Sequence, residues 1–164
     1  MFRNAFFKPP LLLIRFLLVT DILFLSQAFC ETFIKIKLSE RNLYLVDSQA
    51  EKNDRILNVF PIAIGDESSP TPTGTFEIIR MEDSPIYKSK SGKLFKPGAD
   101  SPVGSRLMSF HMVDDSEYSI HGTPWPIWVN TRAAVTGGCI RMLNKDIDWI
   151  YDRVTMRTRV EITH

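Results

Sequence analysis

Apolar and polar residues alternate along several short stretches of the chain, which is the pattern of half-buried β-strands. Residues 32–38 read TFIKIKL, so three aliphatic side chains face one side and two lysines face the other. The stretch ERNLYLVD follows after a short turn and predicts the second arm of a hairpin. A third apolar run reads RILNVFPIAIG, in which Pro61 indicates an edge strand or a bend.

The remaining elements follow a predicted turn at residues 72–74, PTG. The stretches TFEIIRM, SRLMSFHMV and YSIHG predict three more strands, and TRVEIT predicts a last strand near the C-terminus. Asn144 predicts the N-cap of a helix whose apolar stripe comprises Ile147, Ile150, Tyr151 and Val154. Many short strands with one principal helix after Cys139 predict a mainly β fold, either a β-sandwich or a barrel.

Residues 82–104 break this pattern, because they are polar and rich in Gly, Pro and Ser. They predict a long loop, and a long loop in a compact domain is usually functional or mobile. Two interpretations stay open for it: a lid that faces a substrate, and a solvated insertion.

The first 30 residues differ from the rest of the chain. Arg3 and Lys8 precede a strongly apolar run, which ends near the small residues of the segment 26–28, SQA. We therefore interpret residues 1–30 as a secretory signal peptide, with an uncleaved membrane anchor as the alternative. Residues 31–164 would then form one exported domain of the periplasm or cell envelope, and we expect it to be a monomer.

The charge balance excludes one class of partner. The chain carries 20 basic and 19 acidic residues, so it offers no electrostatic footprint for nucleic acid. Its hydrophobic fraction of 44% is ordinary for a globular protein.

Residues suited to nucleophilic or metal chemistry are few, since the chain has only two cysteines and three histidines. One of each, His121 and Cys139, lies in the segment SIHGTPWPIWVNTRAAVTGGCIRM, residues 119–142. A free thiol, with a pKa of about 8.5, yields little thiolate at neutral pH unless a base such as imidazole takes its proton. Two other interpretations are a buried cysteine packed as a small hydrophobe, and a zinc site of His111, His121 and Cys139 without tight ligand spacing.

Two neighbours of Cys139 suit the same chemistry. Gly138 allows close approach of a substrate, and its N–H with that of Cys139 would stabilise an oxyanion. Arg141 lies two residues further on, on the same face of an extended stretch, where a guanidinium would hold a carboxylate. The stretch HGTPWPIWVN, rich in Pro and Trp, predicts a loop that overhangs this site.

These motifs resemble the L,D-transpeptidase catalytic domain, also called the YkuD domain. His121-Gly122-Thr123 resemble its His-Gly-Thr element, and its Ser/Thr-His-Gly-Cys-apolar-Arg element is matched at Thr136, Gly138, Cys139, Ile140 and Arg141. Upstream, PTPTGTFEI (residues 70–78) and SPVGSRLMSF (101–110) resemble its Pro-Thr-Pro-x-Gly strand and Pro-Leu-Gly-x-Arg segment. The resemblance covers roughly residues 32–163, in the family's order.

The resemblance implies a role for each matched residue. Cys139 would be the nucleophile, His121 the general base, and the carbonyl of Gly122 the group that orients the imidazole. The N–H groups of Gly138 and Cys139 would form the oxyanion hole. Substrate binding would fall to Arg141, Arg106, Thr136 and Thr123. We expect no metal and no cofactor, because thiol and imidazole supply the chemistry.

The function that the resemblance implies is acyl transfer in the cell wall. The substrates would be peptidoglycan tetrapeptide stems, and the products cross-links or a protein lysine joined to peptidoglycan. Residue 137 is Gly where the family usually has a second His, and we expect this to alter substrate positioning or oxyanion support. Two alternatives stay open: an L,D-carboxypeptidase of the same fold, and a non-catalytic peptidoglycan-binding module. The joint retention of His121, Cys139 and Arg141 argues against the module.

Overall fold

The computed structural model describes residues 31–49, 52–89 and 91–164. The predicted signal peptide at residues 1–30 lies outside the described residues. The strands in the described ranges are β1 (Glu31–Lys37), β2 (Asn42–Gln49), β3 (Lys52–Pro61), β4 (Ile64–Gly65), β5 (Gly74–Glu77), β6 (Arg80–Asp83), β7 (Tyr87–Lys88), β8 (Leu94–Phe95), β9 (Arg106–Val113), β10 (Ser116–His121), β11 (Ala134–Thr136), β12 (Ile140–Arg141) and β13 (Arg159–Thr163). The helices are α1 (Pro126–Asn130) and α2 (Asn144–Tyr151).

The larger sheet has five strands in the order β3-β2-β1-β13-β5. β1 and β2 form the predicted hairpin, with Ile34 opposite Leu45. β13 lies parallel to β1, with Ile34 opposite Val160, so the two ends of the described chain meet in the middle of one sheet. β3 is an edge strand of this sheet, and Pro61 is its last residue. A proline is tolerated there because it has no N–H to donate to a further strand.

The smaller sheet has four strands in the order β12-β10-β9-β6. The segment TFEIIRM, predicted as one strand, is divided between the sheets as β5 and β6. The reason lies in two successive amides: Ile78 N–H donates to the carbonyl of Thr158 at 2.9 Å, whereas Ile79 N–H donates to that of Ser109 at 2.8 Å. The chain therefore passes from the larger sheet to the smaller one at Ile78, which is fully buried.

The two sheets and α2 share one hydrophobic core. The larger sheet contributes Ile34, Ile36, Leu43 and Leu45, the smaller sheet Met108, Phe110, Ile120 and Ile140, and α2 Ile147 and Ile150. The predicted mainly β fold with one principal helix is confirmed, and the described sheets are not closed into a barrel. None of the helices in the described ranges has the length and apolar character needed to cross a membrane.

The helices differ from the predictions in three details. The stretch predicted as an overhanging loop contains α1, which begins at Pro126, because the fixed φ of proline suits the first helical position. The predicted helix is α2, but it ends at Tyr151, so buried Val154 follows it rather than belonging to its stripe. The N-cap position is Leu143 rather than the predicted Asn144, and it forms no side-chain cap hydrogen bond.

Asn144 has another task, because it joins α2 to the loop between β8 and β9. Its Oδ1 accepts a hydrogen bond from Ser105 N–H at 3.2 Å, and its Nδ2 donates to the carbonyl of Ala99 at 3.0 Å. A Cβ on Gly104 or on Gly122 would overlap Asn144 Oδ1. The amide side chain therefore holds the loop before β9 against the segment that follows His121.

The substitution Asn144→Ser tests the bridging role of residue 144. Serine is too short to reach both Ser105 and Ala99, so we expect a loss of about 1 to 2 kcal/mol in unfolding free energy. The measurement is urea unfolding followed by circular dichroism, with Lys145→Ser on the same helical turn as the matched control. Equal stability of the Asn144→Ser variant and the original chain would contradict the bridging role.

Candidate active site

A cavity of about 520 Å³ lies over one face of the smaller sheet. Side chains alternate between the two faces of a strand, so residues two apart on each strand reach the same side. The strands and the turn before β12 supply Cys139 and Arg141, Ser119 and His121, and Arg80 and Glu82. Residues from different parts of the chain thus line one space because their strands are neighbours in one sheet.

The pairing of β10 with β12 determines which side chains face each other across the strands. The two strands are parallel, with Ile120 opposite Ile140 and His121 opposite Arg141. Continuing this register by one residue places Ser119 opposite Cys139, and Ser119 Oγ lies 3.6 Å from Cys139 Sγ. His121 is therefore the diagonal neighbour of the cysteine.

Cys139 is half-buried and is a free thiol. Its Sγ donates to the backbone carbonyl of Glu117 at 3.6 Å. The described residues include no hydrogen bond between this sulfur and the His121 ring. In this structure the thiol thus lies along β10 and is held by two polar atoms of that strand.

His121 is 4% exposed and ends β10. Its Nδ1 lies 2.7 Å from the backbone carbonyl of Gly122, which accepts a hydrogen bond only from a protonated Nδ1. Burial lowers the pKa of His121 to about 4, with the positive charge of Arg141 acting in the same direction and the Gly122 carbonyl against it. At neutral pH the ring is uncharged, carries its proton on Nδ1, and keeps Nε2 as an acceptor.

Arg141 lies across from His121 and stacks on two tryptophans of the predicted overhanging stretch. Its guanidinium carbon is 4.6 Å from the centre of the Trp128 ring and 5.9 Å from that of Trp125. Its Nε and Nη1 are buried and lack a hydrogen-bond partner among the described residues. Burial lowers the pKa of Arg141, although Cys139 and Tyr87 oppose this shift. The result is a cation beside the thiol, with two buried donors that are unpaired within the described residues.

The turn before Cys139 is closed by Thr136. Its Oγ1 donates to the carbonyl of Cys139 at 2.5 Å and accepts from Gly138 N–H at 3.2 Å. Gly138 has φ of +102°, and a Cβ there would stand 2.5 Å from Cε1 of Tyr118. At Gly137, by contrast, a Cβ would meet nothing within 4 Å. The turn needs glycine at 138 and has open space at 137.

Two other predicted substrate-binding residues have partners of their own. Arg106 pairs with Asp83 and Asp148, lies 5.1 Å over the ring of Tyr151, and is not among the residues that line the cavity. Thr123 is buried, and its Oγ1 accepts a hydrogen bond from the backbone N–H of Trp125 at 3.2 Å. These contacts join elements around the cavity rather than point into it.

His111 does not join His121 and Cys139. Its ring lies 4.9 Å from the ring of Phe76 and 5.8 Å from that of Tyr118, outside the residues that line the cavity. The zinc site weighed from the sequence is therefore not assembled, and the described residues contain no group of three His, Cys, Asp or Glu placed to hold a metal ion.

The long loop contributes a wall of the cavity. Its residues Tyr87 and Lys88 form β7, which pairs with β8, and both line the space above Cys139. Pro102 and Val103 line it from the other end of the loop. Of the two interpretations of residues 82–104, this position favours the one in which the loop faces a substrate.

The comparisons with known proteins agree with this arrangement. The family model of the YkuD L,D-transpeptidase catalytic domain matches residues 31–162. This chain belongs to the L,D-transpeptidase (YkuD) family. The resemblance found in its motifs is thereby confirmed.

Similar proteins include the putative L,D-transpeptidase YqjB of Bacillus subtilis, which is 31% identical over 68% of this chain and 62% of its own length. The putative L,D-transpeptidase YkuD of Bacillus licheniformis is 32% identical over 79% of this chain and 64% of its own. This L,D-transpeptidase-family chain thus spans about three fifths of the length of these curated relatives.

Solved structures show the same fold at lower identity. L,D-transpeptidase 3 from Mycobacterium tuberculosis is 17% identical, with a TM-score of 0.61 over 81% of this chain and 61% of that one. A mutant of the L,D-transpeptidase of Enterococcus faecium is 18% identical, with a TM-score of 0.60 over 81% and 50%.

Sequence reasoning missed two groups of this L,D-transpeptidase-family site. Ser119 was not singled out, although it lies two residues before His121 and therefore on the same face of β10. The second missed group comprises Arg80, Glu117 and Ser109, which we call the polar floor. Arg80 donates to both carboxylate oxygens of Glu117, at 2.8 and 2.7 Å, and Ser109 Oγ donates to the same carboxylate. Alternation along β10 was a signal for Ser119, whereas nothing local to the sequence pairs Arg80 with Glu117.

The substitution Gly138→Ala tests the geometry of the turn before Cys139. Alanine there combines a strained φ with overlap on Tyr118, so we expect a loss of about 2 to 4 kcal/mol in unfolding free energy. Gly137→Ala is the matched control and should change this free energy by less than about 0.5 kcal/mol. Denaturant unfolding of both variants is the measurement, and equal stabilities would contradict the described turn.

The lowered pKa of His121 predicts how stability depends on pH. The folded chain binds a proton on this ring near pH 4 and the unfolded chain near pH 6.5. The contribution of the neutral His121 ring to the free energy of unfolding is therefore complete above pH 6.5 and is lost as pH falls from 6.5 toward 4. Between pH 7 and pH 4.5 we expect this residue to account for a loss of about 2 to 3 kcal/mol.

The check is urea unfolding at both pH values for the original chain and for His121→Gln, which cannot gain this charge. The variant should show the smaller loss. A loss that is the same with and without an ionisable group at residue 121 would show that the ring is not held neutral by burial.

Proposed function

We propose that this protein is an exported L,D-transpeptidase that acts on peptidoglycan stem peptides through an acyl-enzyme on Cys139. The observation that carries the proposal is the pair Cys139 and His121, which line one cavity from neighbouring strands. Membership of the L,D-transpeptidase family supports the same chemistry.

Acylation begins with transfer of the Cys139 proton to Nε2 of His121. The uncharged ring suits this step, because a base must be unprotonated to accept the proton. The thiolate attacks the carbonyl carbon of the bond between an L-centre and a D-centre in the stem. The C–N bond breaks, the leaving amine takes the proton from the imidazolium, and the terminal D-amino acid departs.

Transfer to an acceptor completes the reaction. An acceptor amine attacks the thioester carbonyl and gives a proton to His121, a C–N bond forms, and the C–S bond breaks. A stem-peptide amine gives a cross-link, a protein lysine gives a protein attached to peptidoglycan, and water gives the carboxypeptidase product.

In the resting geometry the sulfur forms no hydrogen bond with the His121 ring within the described residues. Cys139 Sγ contacts Ser119 and the carbonyl of Glu117, whereas His121 lies one step further along the face. Catalytic hydrogen bonds often form only in the substrate complex, so these substrate-free contacts of the sulfur are compatible with the proposed role of His121.

The backbone N–H of Cys139 is the donor best suited to stabilise the oxyanion that forms on the attacked carbonyl. Gly138 N–H, which the motif assigns to the same task, donates to Thr136 Oγ1 in this structure and must leave that partner to assist. Backbone N–H groups are strong donors here, because they are already oriented when charge develops on the carbonyl oxygen.

Arg141 is the residue that we propose to hold a carboxylate of the donor stem. Its position in the cavity lining beside the thiol supports this, since a guanidinium can hold a carboxylate by two parallel hydrogen bonds. Arg106 is occupied by Asp83 and Asp148, so its role is to join β9, β6 and α2.

The test uses purified full-length protein and disaccharide-tetrapeptide fragments of peptidoglycan, analysed by mass spectrometry. We expect dimeric fragments, release of the terminal D-amino acid, and an acyl adduct on Cys139. Cys139→Ala should abolish all three products, and His121→Gln should slow acylation by about 100-fold or more.

The alternatives give other products in the same experiment. Monomeric fragments that have lost the terminal residue, without dimers, would identify a carboxypeptidase. Binding of fragments without an adduct on Cys139 would identify a non-catalytic module and overturn the proposal.

A further inference from the structure

We propose that the Ser119 hydroxyl donates a hydrogen bond to the sulfur of Cys139 and stabilises the thiolate. This inference rests on the proposed function, in which that thiolate is the nucleophile. It adds a residue that lies outside the matched motifs, two positions before the His-Gly-Thr element.

The sheet itself holds Ser119 at this place. The parallel register of β10 and β12 puts Ser119 directly opposite Cys139, with the two heteroatoms 3.6 Å apart. Both side chains belong to the face that lines the cavity. The register of β10 against β9 shifts between Tyr118 and Ser119, which marks a β-bulge, and bulges re-aim side chains near active sites.

The donors and acceptors around the sulfur determine the direction of this bond. A backbone carbonyl only accepts, so the bond to Glu117 uses the thiol proton of Cys139. The sulfur then serves Ser119 as the acceptor of its hydroxyl proton. Once the thiol proton has moved to His121, the Glu117 carbonyl has nothing to accept, whereas the hydroxyl of Ser119 still donates to the negative sulfur.

The burial of Ser119 makes this donor hard to replace. The residue is 4% exposed, so water does not readily take its place when the hydroxyl is removed. A hydrogen bond to an ionised acceptor is about twice as strong as one between neutral groups. The hydroxyl therefore favours the thiolate over the thiol and raises the fraction of reactive sulfur at a given pH.

The experiment measures the rate of alkylation by iodoacetamide from pH 5 to pH 10 in the full-length protein. Modification is followed on the tryptic peptide of residues 133–141, so that Cys30 does not contribute. In Ser119→Ala we expect the pH of half-maximal rate to rise by about one unit, with about tenfold slower alkylation near neutral pH.

Three further variants control for indirect effects. Ser119→Thr keeps the hydroxyl and should retain the original pH profile of alkylation. Ser119→Val introduces a side chain nearly isosteric with threonine but without the hydroxyl, so its pH profile should shift as that of Ser119→Ala does. Ser116→Ala, on the same strand and also lining the cavity, should leave the profile unchanged. If Ser119→Ala fails to fold, the Thr and Val pair alone decides the question.

The profiles also separate this inference from the proposed function, because alkylation requires no peptidoglycan. Unchanged profiles in Ser119→Ala and in Ser119→Val, in a protein that still turns over stem peptides, would overturn the role of Ser119 alone. If the Ser119 variants show the shift but the protein forms no acyl adduct, the hydrogen bond to Cys139 is supported and the proposed transpeptidase function is overturned.

Discussion

The parallel pairing of β10 with β12 is the constraint on which the site depends. Met142 N–H donates to the carbonyl of His121 at 2.9 Å, and this bond with its neighbours fixes the register of the two strands. A shift of one residue would turn Cys139 away from the cavity, because successive side chains face opposite sides of a sheet. The pairing thus brings together a thiol and an imidazole that lie eighteen positions apart in the chain.

The rest of the fold holds that pairing and sets the chemistry of its side chains. The core between the sheets and α2 buries the opposite face of β10 at Ile120. Burial on the cavity face keeps His121 uncharged, and the Gly122 carbonyl keeps its proton on Nδ1. Asn144 ties the loop before β9 to α2 and lies close against Gly122, the residue after His121. The same packing that stabilises the domain therefore prepares a neutral base.

The two arginines that line the cavity, Arg80 and Arg141, differ in whether they have hydrogen-bond partners within the described part of the protein. Arg80 is tied to Glu117 and Glu82, so this polar floor is satisfied within the protein. Arg141 is the cation beside the thiol that keeps buried donors without partners in the described chain.

The sequence by itself determined the mainly β class, most strands, the principal helix and the Cys139–His121 hypothesis. These features could be predicted because the alternation of apolar and polar residues, the turn residues and the order of the motifs can be read directly from the sequence. Only the tertiary structure decided that TFEIIRM divides between two sheets, that Asn144 bridges loops rather than caps α2, and that Ser119 faces Cys139. These outcomes depend on which strands become neighbours and in what register, and hydrogen bonds between distant segments set both.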